Sequence, residues 1–355
     1  MLKKRKLILA LALLPQIILI KLLAKHPSVV EHYYSKGLYV YISKTLRWIL
    51  GRLPFSFGDV LYMALGIYIL WWFIKNRTRL RNDFKNWVVD VFSAASLVYF
   101  VFHILWGYNY YRLPLHKNLN LEANYTTEQL VLATKKLIEK SNSAHKKIST
   151  NDTLKVTMPY NIGFIRNEIP LGYCNLKRIF PGLEYKPYSI KTSLLSYALT
   201  YMGFSGYLNP LTNEAQINGQ IPMYKLPTTA SHEIAHQLGY AAENEANFIG
   251  FMAAAQHSNP YFKYCGYTFG LRFCLNEIYR RDECLFEDLV ADINPGILKN
   301  FEEARKFWEA HENPLEPYFK LFYDSFLKAN NQNKGMESYS YVVALLVNYL
   351  EMRGL

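Results

Sequence analysis

Charge is scarce in this chain: 19% of its 355 residues are Asp, Glu, Lys or Arg, against 51% apolar. That balance excludes a disordered polyelectrolyte and leans from soluble toward membrane protein. Acid is the scarcer sign, with 28 residues against 40 basic ones and a net charge of +12. Cysteine is scarce as well. Cys174, Cys265, Cys274 and Cys284 contain no C-x-x-C pair, so they say little about metal, and each reads as a buried free thiol, with a disulfide as the other reading for a domain outside the cytoplasm. The sequence has no internal repeat and no low-complexity tract, which excludes solenoid architectures. It also lacks any RNA-binding aromatic motif that would give the positive charge a nucleic-acid partner. After residue 112 no apolar run reaches eighteen residues.

Aromatic rings, by contrast, are plentiful: 29 Tyr, 21 Phe and 6 Trp. Tyr and Trp suit the lipid–water boundary, where one end of the ring is dry and the other wet. Mean hydropathy is near zero, so the apolar surplus must be concentrated, and it falls in the first 110 residues. Three stretches there, 7–24, 55–74 and 87–108, are each long enough to cross about 30 Å of hydrocarbon as a helix. The first follows Lys3-Lys4-Arg5-Lys6 and has no small-x-small cleavage site near Leu22-Leu23-Ala24-Lys25, so it reads as a retained anchor rather than a signal peptide. The second ends in Trp71-Trp72; the third has Asp90 near one end and Trp106 at the other. Lys3–Lys6 and the loop with Lys75, Arg77, Arg79, Arg81 and Lys85 lie beside these spans. Such placement is an orientation signal that puts both clusters in the cytoplasm and everything after about Arg112 outside it. Lys25, Lys36, Lys44, Arg47 and Arg52 run against that rule. Within Leu38–Leu53 the last three mix with Tyr39, Tyr41, Leu46, Trp48 and Ile49, the pattern of a helix lying in the interface.

Residues 113–355 read as an α+β domain dominated by helix. Thr126–Ser141 sets Leu130, Leu132, Ala133 and Leu137 on one side of a helix. Residues 154–166 and 214–218 have strand composition. From Thr228 the pattern is mainly helical, including Phe301–His311, Glu316–Leu327 and Ser338–Met352. The expected organisation is a three-helix transmembrane region over 1–112 followed by a globular domain over 113–355.

One stretch of that domain carries chemistry: His232-Glu233-Ile-Ala-His236. Residues four apart share a helix face, so the two imidazoles can hold one ion, zinc by ligand type. Glu233 emerges beside that face, where a carboxylate can take a proton from zinc-activated water as it attacks a carbonyl. Gly239 is placed for a left-handed helix end, and a new helical run opens at Glu243, folding its first carboxylates back toward the histidines. A catalytic zinc takes three protein ligands and leaves one position open. Glu243 is favoured as the third, because Asn247 on the same face then reaches a ligating histidine; Glu245 is the alternative. Glu214, Ala215, Gln216, Ile217 and Asn218 form a candidate edge strand for an extended substrate, with an ordinary core strand as the other reading. Tyr339 or Tyr341 is a candidate hydrogen-bond donor to the oxyanion, against a packing role for either. His257 lies too far along the second helix to join the metal and reads as a helix-terminal charge or a solvated residue.

His232 to His236 followed by Glu243-Asn-Glu-Ala-Asn247 resembles the gluzincin metallopeptidases, which take their third ligand from a Glu on a later helix with Asp or Asn four residues beyond it. Only six residues separate His236 from Glu243, fewer than in most gluzincins, and the Gly239 turn looks more like a metzincin's. Further stations are Phe55-Ser-Phe-Gly-Asp59, Trp106-Gly-Tyr-Asn-Tyr-Tyr-Arg112, Gly203-Phe-Ser-Gly-Tyr207, Asn213-Glu-Ala-Gln-Ile-Asn218 and Ser338-Tyr-Ser-Tyr-Val342. Together with the histidine motif they resemble an uncharacterised bacterial family of three-span membrane proteins, a domain of unknown function. That resemblance implies a zincin-like peptidase fold in a bacterial inner membrane, and no particular substrate.

The expectation is therefore a membrane-anchored, Zn2+-dependent metallopeptidase whose partners are the lipid bilayer and a peptide or protein substrate. Intramembrane proteolysis is a poor rival, since Thr228–Leu238 is too polar and too short for a span. A domain facing the cytoplasm, a metal-stabilised scaffold or sensor, and an amidase acting on cell-wall cross-links are the other readings. A scaffold would have no use for Glu233, because structural zinc needs no adjacent base.

Overall fold

The three apolar stretches are helical in the computed structural model, which describes residues 2–332 and 339–352. Span 1 covers Lys4–Leu23, span 2 Phe57–Lys75 and span 3 Phe84–Leu105, each long and apolar enough to cross a membrane. Span 2 starts at Ser56, whose hydroxyl accepts from the Asp59 amide at 3.0 Å, satisfying one of the free N–H groups of a first turn. Glu214 accepts from the amides of Phe57 at 3.2 Å and Gly58 at 2.6 Å, so a distant carboxylate covers the positive end of the same helix. Span 1 packs along span 3. Asp90, the one acid of span 3, pairs with Lys6 at 2.6 Å and with Arg79 at 2.9 Å.

Helix α1 (Tyr39–Leu50) follows the first span. Tyr39, Ser43 and Arg47, four apart, are buried, while Tyr41, Trp48 and Ile49 are exposed. Its hydrogen-bonding face is thus turned inward and its apolar face outward, the reverse of an ordinary surface helix.

Helix α2 (Thr127–Ile148) opens with a capping box between Thr126 and Gln129. Leu130, Ala133, Leu137 and Ile138 face the core, but Leu132 is exposed. The stretch expected as a strand over 154–166 is irregular up to Asn161 and then enters helix α3 (Ile162–Leu176). Asn161 accepts from the Phe164 amide at 2.8 Å, and this cap starts a helix where the residue composition alone suggests extension. Three short strands follow: β1 (Ile190–Thr192), then β2 (Gly206–Asn209) after helix α4 (Ser196–Tyr201), and β3 (Glu214–Ile217). The sheet order is β1-β3-β2, with β3 parallel to β1 (Ile190 opposite Ala215) and antiparallel to β2 (Gly206 opposite Ile217).

Helix α5 (Leu226–Gln237) lies on this sheet, with Pro227 at its start, where a missing N–H does no harm. Helix α6 (Glu243–Ala255) packs along α5 on one side and against α7 (Pro260–Arg281) on the other; α7 in turn packs on α2. Helices α8 (Pro295–Glu309), α9 (Glu316–Ala329) and α10 (Tyr339–Met352) complete the domain. Its main core joins Leu137, Phe248, Phe251, Met252, Leu271 and Leu345. A smaller cluster joins Tyr34, Tyr39, Trp106 and Tyr110 to Ala241 and Leu327, so packing runs without a break across residue 112.

Candidate metal centre

His232 and His236 lie one turn apart on α5 and bring their Nε2 atoms to 3.0 Å from each other. The opposite nitrogens are both engaged: His232 Nδ1 is 3.0 Å from Asn247 Oδ1, and His236 Nδ1 is 2.7 Å from the Tyr240 carbonyl oxygen. Each ring meets its acceptor through an N–H at Nδ1, which leaves the Nε2 lone pairs aimed at a common point. Two bare lone pairs at that separation repel unless a proton or a metal ion lies between them.

The carboxylate of Glu243 reaches the same point, with Oε2 3.2 Å from His232 Nε2 and Oε1 3.6 Å from His236 Nε2. Gly239, at φ +87°, makes the left-handed turn that returns the chain from α5 to the start of α6. Glu245, one residue pair along, turns away and accepts from the Leu115 amide at 2.6 Å. Glu233 gathers with the two histidines as well, ligand atoms of the three lying within 4.8 Å of one another. Its Oε2 is buried with no hydrogen-bond partner. Two imidazoles and a carboxylate make up a catalytic zinc's protein ligand set, and the side chains of His232 and Glu243 keep 14% and 22% exposure, so solvent reaches the point they share.

Glu243 sets the electrostatics of this point. Burial lowers His236, but the Glu243 carboxylate beside it outweighs that and raises it to about 9. Burial raises Glu243, yet the two imidazoles hold it well below the usual carboxylate range. Burial pushes Glu233 up to about 7 against the pull of both histidines, which suits a group that must exchange protons near neutrality.

The remaining expectations fare differently. Residues Glu214, Ala215, Gln216 and Ile217 do not make a sheet edge: β3 is the central strand, paired on both sides, and Asn218 just beyond donates its side-chain amide to Thr200 Oγ1 and the Phe204 carbonyl. The strand that carries a free edge beside the histidines is β2. At Gly206 an added Cβ would stand 2.7 Å from the Gln216 carbonyl oxygen of β3 and 2.9 Å from Glu233 Oε1, so the lack of a side chain lets this strand fit between β3 and the carboxylate. Tyr341 is not at the centre; its hydroxyl lies 2.6 Å from His116 Nδ1. The side chain of Tyr339 lies outside the described residues. His257 is neither solvated nor a helix-end charge. It is buried, with Nε2 3.0 Å from the Glu168 carbonyl and its ring stacked on Phe262, and burial lowers its pKa.

Two groups of residues at the site are not tied to it by any local spacing, although Trp106 and Arg112 bound one of the stretches that carry the family resemblance. Tyr323 of α9 donates to Glu243 Oε1 at 2.5 Å, steadying that carboxylate from the far side. Carbonyls at and just beyond the C-terminus of α5, where a helix leaves acceptor capacity free, receive side chains from the part of the chain that carries the candidate spans. Trp106 Nε1 donates to His236 O at 3.0 Å, Tyr39 and Ser43 donate to Gln237 O at 2.8 and 2.9 Å, and Arg112 donates to Gly239 O at 2.8 Å. Trp106 immediately follows span 3, so the site lies one side chain from the end of a span.

Residues 34–347 match the family model described as a protein of unknown function, DUF3810. The chain belongs to this family. The region matched to DUF3810 takes in spans 2 and 3, α1 and the histidine helix, and leaves span 1 outside. No curated protein matches the chain, and no solved structure does.

Proposed function

We propose that this protein is a zinc-dependent metallopeptidase of zincin type, anchored by three membrane spans with its catalytic domain outside the cytoplasm. One observation carries the reading. Two imidazole Nε2 atoms, each oriented by an acceptor at Nδ1, converge with Glu243 on one point, and Glu233 stands beside them with an unpartnered oxygen.

His232, His236 and Glu243 would hold the ion, and Asn247 and the Tyr240 carbonyl would orient the two rings. Zinc bound there supplies Lewis acidity, which polarises a carbonyl and makes water acidic near neutral pH. Glu233 accepts the proton of the attacking water and hands it to the departing amine. Tyr323 keeps the Glu243 carboxylate in register with both rings. The free edge of β2 offers main-chain N–H and C=O groups to an extended peptide, so the substrate backbone passes beside Gly206 and Glu233. The basic clusters around spans 1 and 2 support the orientation.

Purified full-length protein in detergent tests the reading. Wild type and Glu233→Gln should carry equal zinc, and hydrolysis of a mixed peptide library should fall by about 10²- to 10⁴-fold in the variant. Equal hydrolysis by both proteins would contradict the role of Glu233. A reporter fused after Arg112 should be active only in its extracytoplasmic form; activity only in the cytoplasmic form would reverse the orientation.

A further inference from the structure

Helix α9 packs Leu327, Phe326 and Tyr323 inward toward the site and leaves a second row of apolar side chains uncovered. Leu315, Tyr318, Leu321 and Phe322 are each more than half exposed, at the three- and four-residue spacing of one helix side. Soluble surfaces seldom show contiguous apolar patches of this kind. The patch does not end with α9. The Asn313 side chain donates to the Tyr201 carbonyl at 2.7 Å, tying the start of α9 to α4, where Tyr197 and Tyr201, with Leu194 just before the helix, are likewise more than half exposed.

Both ends of this belt reach candidate spans. The Leu194 amide donates to Asp59 in the first turn of span 2 at 2.7 Å. Phe326 of α9 packs on Phe102 near the end of span 3, ring centroids 5.9 Å apart. The exposed rings therefore run from the domain end of span 2 to the domain end of span 3, the level at which a bilayer surface has to lie if those helices cross it. Tyrosines with a wet hydroxyl and a dry ring are suited to that level, and so is an amphipathic helix lying in the plane.

We infer that α4 and α9 form a second membrane contact, with Leu194, Tyr197, Tyr318, Leu321 and Phe322 seated at the headgroup–acyl boundary of the same leaflet from which the domain projects. Helix α9 then lies between the lipid and the candidate metal centre, with Phe322 on one face and Tyr323 on Glu243 on the other. The candidate metal centre then lies one helix away from the bilayer surface. Combined with the hydrolase reading, on which this last step rests, the geometry selects protein chains already held in the membrane and cut close to where they emerge.

The lipid contact is tested without any activity assay. Benzoylphenylalanine is placed at Tyr318, at Phe322, at Val98 of span 3, and at exposed Glu287 on the far helix Glu283–Ala291, in full-length protein in lipid nanodiscs. After irradiation, mass spectrometry should find lipid adducts at positions 98, 318 and 322 and none at 287. Adducts at 98 alone, or crosslinks from 318 and 322 to a second copy of the chain, would overturn the belt. No lipid adduct at 98 either would overturn the three-span anchoring on which the belt depends, while leaving the metal site untouched.

Discussion

Leu137, Phe248, Leu271 and Leu345 belong to a core that is mainly hydrocarbon, with a few buried polar groups such as Asn300 and His145, whereas the side facing the spans is held by polar groups taken out of water. Glu31, Arg47, Asp59, Glu214 and Gln237 are all buried there. Arg112 is close to fully buried as well and pairs with Glu31 at 2.8 Å. Hydrocarbon packing is non-directional and tolerates substitutions that conserve volume. A buried hydrogen bond fixes direction, and costs more when one partner is lost than it contributes when both are present. The molecule thus separates two tasks. The far half supplies stability; the near half decides where α5 ends and therefore where His232 and His236 point.

This contrast breaks if substitutions in the two halves act alike. Phe248→Ala should show the largest loss, about 3–5 kcal/mol in denaturant unfolding, with zinc content per folded molecule unchanged. Arg112→Met should cost about 3 kcal/mol by stranding Glu31, and Glu31→Gln in the same protein should restore part of it. Burial raises the Glu31 carboxyl, but Arg112 and Lys36 outweigh that and hold it below its ordinary value. The pair's stabilisation is then fully present above the carboxylate's unfolded pKa and is lost as pH falls through the depressed folded one, so acid unfolding of wild type should show a step in that window that the double variant lacks. Asn247→Ala should leave unfolding nearly unchanged while weakening zinc about 10- to 100-fold in a chelator competition. Trp106→Phe is the mildest, about 1 kcal/mol for one hydrogen bond to His236 O. It should broaden the His236 ring environment seen by NMR more than Phe248→Ala does, and the reverse order would erase the distinction between the halves.

The legible parts of the site are those separated by a turn or two of helix. His232, Glu233 and His236 lie within one such turn, and Gly239 with the Glu243–Asn247 spacing places a carboxylate and an amide near them. Tyr323 was not legible, because its distance from Glu243 is set by how α9 crosses the domain and not by any local pattern. The same holds for Trp106, 130 residues from the carbonyl it meets. In Glu214–Ile217 alternation signals a strand but says nothing of whether its neighbours lie on one side or two; the parallel partner β1 makes it central. The helix at Ile162 was hidden by β-rich neighbours and revealed by its Asn161 cap. The three spans were legible because length and hydropathy alone define them, while the inward-facing Ser43 and Arg47 of α1 are explained only by the carbonyls they meet.

Zinc K-edge absorption on the purified full-length protein tests the central claim most directly. One equivalent of zinc should appear, with two imidazole nitrogens and carboxylate oxygen at about 2.0–2.2 Å, and His236→Ala should remove it. Metal-free wild type, or a zinc shell filled by four protein donors, would contradict the account.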